Sequence, residues 1–184
     1  IFYKSDYWKI IDKKSRESFE YFIKSFKNIE VFDTPSYFKD IHKYHQIIHE
    51  TDLANNFGIY YKKYKTKLSK YMQIAIAKGN KHSAKDYAEA IDFKKRSYES
   101  YQEVFEDYHG VLSPSSPGVA LKGLKNTGTA EFNKVWSYLG TPCISLPLLE
   151  GENNLPLGVQ LIGDRYDDHR FLGVANWLEK ECNN

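Results

Sequence analysis

The 184 residues are one domain's worth of chain, long enough to bury a core, and 41% hydrophobic with 27% charged residues is the composition of a globular protein rather than a disordered one. A net charge of +2 is too small to demand a nucleic acid or another anionic partner, and no apolar run approaches the roughly 20 residues of a membrane span. Two cysteines, Cys143 and Cys182, stand far apart in unrelated contexts and make no disulfide framework, so a reducing compartment, the cytoplasm, is expected.

The chain opens IFYKSDYWKI, with no Met and no apolar signal segment, and reads as a piece of a longer protein that begins on a strand. Asp12 is placed to cap a helix in which Phe19, Phe22, Ile23 and Phe26 recur at i, i+3, i+4 and i+7. IEVFD then gives a short strand and TPS a turn. From Tyr37 to Asp107 the chain turns helical and rich in Lys and Tyr, broken at Gly79-Asn80 and restarted by a capping box of Ser83 and Asp86. Tyr87, Ile91, Tyr98, Tyr101, Phe105 and Tyr108 are expected on one face of the last long helix. Beyond Gly110 the composition shifts to VLSPSSPGVA, a glycine-punctuated loop and a short helix over AEFNKVWSYL. CISLPLL and LPLGVQLIG follow as two short buried strands joined by the polar loop Glu150 to Asn154, and DDHRFLGVANWLEKE makes a final helix starting at Asp167 or Asp168. Strands alternating with helices predict an α/β fold.

Four local features carry reactive or charged groups. His42, His45 and His49 share a helix face, and the last two have the i, i+4 spacing of a zinc pair, with Asp52 within reach as a third ligand. The HExxH order is absent, and the segment reads as a partly exposed helix face with no metal. YYKKYKTKLSKY interleaves aromatics with lysines as nucleic-acid surfaces do, but Tyr60, Tyr64, Leu68, Tyr71 and Ala75 form one helical stripe, which predicts an ordinary amphipathic helix. Cys143 has apolar neighbours and no adjacent base, so it is expected in the core. In SPSSP an activated serine would need a base and backbone oxyanion donors, and Pro114 and Pro117 each remove one donor; the hydroxyls are better placed to line a pocket at the strand's C-terminal end.

SAKDY, the long helix ending in FEDYHGVLSPSSP, then NTGTAEFNKVWSYLGTPCISLPL, then LPLGVQLIGDRYDDHRFLGVANWLEK resembles the C-terminal half of the amidase signature family, most specifically from Val111 to Glu179. The resemblance implies the C-terminal part of an α/β fold with a mixed central β-sheet covered by helices, and hydrolysis of carboxylic amides through a serine acyl-enzyme. Family members use a lysine, a bridging serine and a nucleophilic serine, the serines lying in a Gly-Ser-rich segment of the first half. No such segment occurs between Ile1 and Asn184, so no catalytic residue carries over, and the chain alone is expected to be inactive. For an intact enzyme of this family the resemblance implies that a lysine kept neutral by burial relays a proton through the bridging serine while the nucleophile attacks the amide carbon.

What the resemblance leaves to this half is one wall of the acyl pocket, for which Ser115, Ser116, Thr129, Phe132 and Trp136 are the candidates. The glycines and prolines around CISLPLL and LPLGVQLIG then mark strands that end abruptly, with Gly140 and Gly158 permitting close backbone approach. The implied partners are a small-molecule amide and the chain's own N-terminal half, with self-association through uncovered sheet surface; no cofactor, nucleic acid or membrane is implied. TGTAEFNKVWSYLG looks more like single-chain amidases than like the amidase-type subunits of glutamine-dependent tRNA amidotransferases, which stand as the alternative beside a non-catalytic binding module.

Overall fold

A computed structural model describes residues 1–183. Five strands, β1 (Phe2–Lys4), β2 (Val31–Asp33), β3 (Val111–Pro114), β4 (Cys143–Glu150) and β5 (Pro156–Ile162), form one sheet in the order β2-β1-β3-β5-β4. β1 runs parallel to both β2 and β3, whereas β5 is antiparallel to β3 and β4, so the sheet is mixed. The helices are α1 (Lys13–Ser25), α2 (Ile41–Tyr64), α3 (Lys70–Gly79), α4 (Ala84–Gln102), the short α5 (Val104–Asp107), α6 (Glu131–Leu139) and α7 (Asp168–Asn183).

Strand alternation sends successive side chains to opposite faces, and each face has its own core. Phe2, Leu112, Leu157, Val159 and Leu161 join Phe19 and Phe22 of α1 and Phe171 and Leu178 of α7 on one side. Tyr3, Val111 and Ile162 join Ile41 of α2, Tyr101 of α4 and Trp136 and Leu139 of α6 on the other. The local signals act as read: Asp12 Oδ1 accepts from Ser15 N at 2.9 Å, and Ser83 and Asp86 close a full capping box. Asp167 accepts through its carboxylate and carbonyl from the first amides of α7.

Several expectations are corrected. β4 is not a buried strand: it is the sheet's edge, bonded to β5 alone, and of its residues only Leu146 is buried. A register shift between Leu146 and Leu149 surrounds Pro147, as an edge tolerates. Cys143 is consequently exposed at the head of that strand and does not belong to the core. The stripe from Tyr60 to Ala75 does not form, because α2 stops at Tyr64 and a 3-10 turn at Lys65–Lys67 intervenes; Tyr60, Tyr64 and Tyr71 are exposed while Ala75 alone of the set is buried. The buried face of α4 is set by Ala90, Ser97 and Tyr101, and Ile91 lies outside it. Of the two glycines expected to admit close approach, Gly158 does so, since a Cβ there would stand 2.5 Å from Ser145 Oγ and 2.7 Å from Ser115 Oγ. Gly140 serves a different purpose: it caps α6 in the left-handed conformation at φ 73°.

Candidate functional site

The start of α6 is the place where sheet, loop and helices meet. Gln160 of β5 is almost fully buried, and its Nε2 lies 2.9 Å from Ser113 Oγ, 3.3 Å from the Pro114 carbonyl and 3.0 Å from the Phe132 carbonyl. This one amide therefore ties the end of β3 to the first turn of α6. Asn133 completes the tie by donating from Nδ2 to the Ser115 carbonyl at 3.2 Å.

Two cavities flank this junction. The first, of about 640 Å³, lies between α2, α3 and α6 and is lined by His42, His45 and His49 of α2, Tyr71 and Lys78 of α3, and Ala130, Asn133, Lys134 and Ser137 around α6. Gly79 allows α3 to cross α2 closely enough to form it, because a Cβ at Gly79 would fall 1.9 Å from the Glu50 carbonyl oxygen. At the crossing Glu50 is only 5% exposed, where burial alone would raise its pKa, but hydrogen bonds from Gln46 and His82 and the charge of Lys78 hold it below the usual carboxylate value. Burial depresses His45 to about 4, helped by His49, Lys134 and His42, and burial also lowers His42 against the pull of Glu131. Both imidazoles are thus neutral at pH 7. His42 Nδ1 stands 3.0 Å from Glu131 Oε2 without hydrogen-bond alignment, Lys134 pairs with Glu131, and His49 Nε2 is 3.0 Å from Tyr71 Oη. Among the described residues no three His, Cys, Asp or Glu side chains converge on a metal-holding geometry; Asp52 instead accepts from Tyr87 Oη at 3.1 Å. The cavity offers a ligand the imidazoles of His42 and His45 and the Asn133 amide, beside two lysines paired with Glu50 and Glu131 and next to apolar Ile74 and Ala75.

The second cavity, of about 750 Å³, opens on the other side of Ala130, where Ser116, Gly118, Leu121, Thr127, Thr129 and Glu152 are among its lining. Of the residues proposed from sequence, Ser116 and Thr129 meet here. Ser115 sits beside them, its Oγ 2.6 Å from Ser145 Oγ, and Ser116 Oγ donates to the Gly118 carbonyl at 2.5 Å. Neither serine has a histidine or lysine as a hydrogen-bond partner among the described residues, so neither is activated as a nucleophile. Phe132 and Trp136 are 4% and 1% exposed and lie in the cores on opposite faces of the sheet, lining neither cavity. Cys143, though exposed, has its thiol pushed up to about 11 by the protein around it, which leaves no thiolate at neutral pH.

Sequence reasoning missed Glu50, Asn133, Lys134 and Gln160. Glu50 is the last of the run HQIIHE and offered a signal, an acid facing the apolar side of a helix; the other three become visible only once β3, β5 and α6 are brought together.

This arrangement, a mixed sheet whose central strand ends in a Ser-Pro turn under the head of a short helix, is a mixed α/β fold of the kind found in a solved amidase. The chain belongs to the amidase signature family, whose model, Amidase, matches residues 8–172. It is 34% identical over 102 residues to a glutamyl-tRNA(Gln) amidotransferase subunit of Alkaliphilus metalliredigens and 33% identical over 102 residues to one of Clostridium acetobutylicum; each match covers 52% of this chain and 21% of the relative. The matched part is thus about a fifth of those relatives' length. A crystal structure of an amidase superposes with a TM-score of 0.80 at 18% identity, over 98% of this chain and 45% of that one. The glutamyl-tRNA(Gln) amidotransferase subunit of Thermotoga maritima superposes with a TM-score of 0.58 at 21% identity, over 92% of this chain and 40% of the other. These two likenesses show the fold. No helix of the described residues is long and apolar enough to cross a membrane.

Proposed function

We propose that this chain forms one wall of the substrate pocket of an amidase that hydrolyses a carboxylic amide C–N bond through a serine acyl-enzyme, with nucleophile, bridging serine and lysine contributed by a segment outside it. The observation that carries this proposal is the family match over residues 8–172, which contains every residue lining the two cavities at the head of α6. In this assignment Ser116 and Thr129 face the substrate, Ser115 braces the loop through Ser145, and Phe132 and Trp136 act from the cores by fixing where α6 begins. The neutral imidazoles of His42 and His45 and the amide of Asn133 offer hydrogen bonds to an uncharged portion of the substrate, while Lys78 and Lys134 on the same wall are paired with Glu50 and Glu131.

A second activity has a specific observation behind it: the two sequence relatives, from Alkaliphilus and Clostridium, belong to glutamyl-tRNA(Gln) amidotransferases. A parent of that kind would copurify with partner subunits, whereas a free-standing amidase would not. Hydrolysis is tested with short aliphatic and aryl amides against this chain alone and against the same chain extended by the coding sequence upstream. Turnover by the extended protein only supports the proposal. Turnover by the 184 residues alone, abolished by Ser115→Ala or Ser116→Ala, overturns it.

A further inference from the structure

The opposite end of α6 from these cavities holds two cations, Lys94 and Arg165, neither of which forms an ion pair among the described residues. Lys94 and Tyr98 are one turn apart on α4, so both face the same neighbour. That neighbour is Arg165, whose Cζ lies 3.6 Å from the centroid of the Tyr98 ring. The acid beside it is already engaged: Asp164 Oδ1 accepts from Tyr98 Oη at 2.6 Å and from the Arg165 amide at 2.8 Å. Among the described residues no carboxylate lies within 4.0 Å of the charged nitrogens of either Arg165 or Lys94, as none of the ion pairs includes them, and Arg165 Nε is buried with no acceptor. A buried guanidinium donor without a partner costs stability and calls for an explanation. Stacking on Tyr98 holds the guanidinium on the same side of α4 as the lysine, and it fills the space beside Gly140, where an added Cβ would stand 3.5 Å from Arg165 Nη2.

Around the pair is a shallow cleft of about 480 Å³ to which Thr141, Tyr166 and Asp168 also contribute. Tyr166 is 97% exposed and occupies the left-handed region at φ 64°, a costly conformation for a residue that is not glycine. Burial lowers the pKa of Lys94 and the charge of Arg165 lowers it further, with Asp52 opposing, as fits a cation lacking a close partner. Asp168 on the rim cancels part of the positive charge, which favours a singly charged carboxylate over a doubly charged phosphate.

We propose that this cleft binds the carboxylate of a small ligand, with Arg165 and Lys94 as its two cationic donors. The site is independent of the amidase proposal, since none of its test depends on turnover.

The full chain is titrated with sodium acetate at constant ionic strength, made up with chloride, while the backbone amide resonances of Gly140, Thr141 and Tyr166 are followed. These resonances should shift to saturation. Lys94→Met should weaken binding about tenfold or more, the size expected when a charged hydrogen bond is removed. Its melting temperature should equal or exceed that of the wild type, because the charge removed is one that Arg165 repels. A linear response to acetate, an equal response to chloride, an unchanged titration in Lys94→Met, or a markedly lower melting temperature of that variant would each overturn the site. Phosphate binding more tightly than acetate would overturn the choice of carboxylate.

Discussion

Replacing Gln160 by Met should remove the tie between β3 and α6 at nearly constant volume. The amide Nε2 carries two hydrogens shared over three acceptors, the Ser113 hydroxyl and the Pro114 and Phe132 carbonyls, all buried behind a side chain that is 4% exposed. Methionine leaves the Ser113 hydroxyl without its donor, at about 2 kcal/mol. It also strips one bond each from the Pro114 carbonyl, which Ser113 Oγ also meets at 3.4 Å, and from the helical Phe132 carbonyl, at about 1 kcal/mol apiece. Its apolar stem returns about 1 kcal/mol, for a net loss of about 3 kcal/mol. With a urea slope of about 2 kcal/mol per molar, the unfolding midpoint should fall by about 1.5 M. Ser113→Ala removes one acceptor along with its own need for a donor and should cost far less. Because Phe132 sits in the first turn of α6, hydrogen exchange in Glu131–Leu139 should also quicken in Gln160→Met. A midpoint shift below about 0.5 M at unchanged slope, or unaltered exchange in α6, would show that the amide does not join the two elements.

Further outcomes are expected. Gly79→Ala drives a methyl into the Glu50 carbonyl at 1.9 Å and should destabilise by more than about 2 kcal/mol in thermal melts, with α3 exchanging fastest; a neutral effect would deny the close crossing. His45, depressed to about 4 from 6.5, binds its proton more readily when unfolded, so stability is full above pH 6.5 and declines as pH falls from there toward 4. His45→Gln should flatten that limb of a melting-temperature profile, and an unchanged profile would remove His45 as its source. The free edge of β4 and exposed Leu121, Leu124, Leu172 and Trp177 should cause the chain to self-associate in light scattering; a monomer that binds little hydrophobic dye would contradict this.

What could be read from the sequence followed from how local each signal was. Asp12, Ser83 with Asp86, and the Gly79-Asn80 break act within one turn of chain, and each stands where its chemistry places it. The order β3, α6, β4, β5, α7 was likewise legible, because Ser-Pro, Leu-Gly-Thr-Pro and Leu-Pro-Leu-Gly punctuate it. Sheet position was not: CISLPLL is as apolar as a central strand, and only the pairing of β5 with β3 on its other side makes β4 an edge. Helical periodicity misled wherever a helix stopped early, as when Lys65–Lys67 tightened to a 3-10 turn and left Tyr60 and Tyr71 in solvent. Among the site candidates, Ser116 and Thr129 lie in loops that reach a cavity, while Phe132 and Trp136, on the same short helix, are claimed by the cores. Nothing in a helix of nine residues announces which side faces the sheet until Gln160 is known to grip its first turn.

The claim that this chain supplies pocket wall without a nucleophile is tested most directly by intact-mass analysis after treatment with a fluorophosphonate, which labels activated serines. The account predicts that the 184-residue chain gains no adduct under conditions that label the protein extended by its upstream coding sequence. A stoichiometric adduct on the short chain, mapped to Ser115 or Ser116, would contradict it.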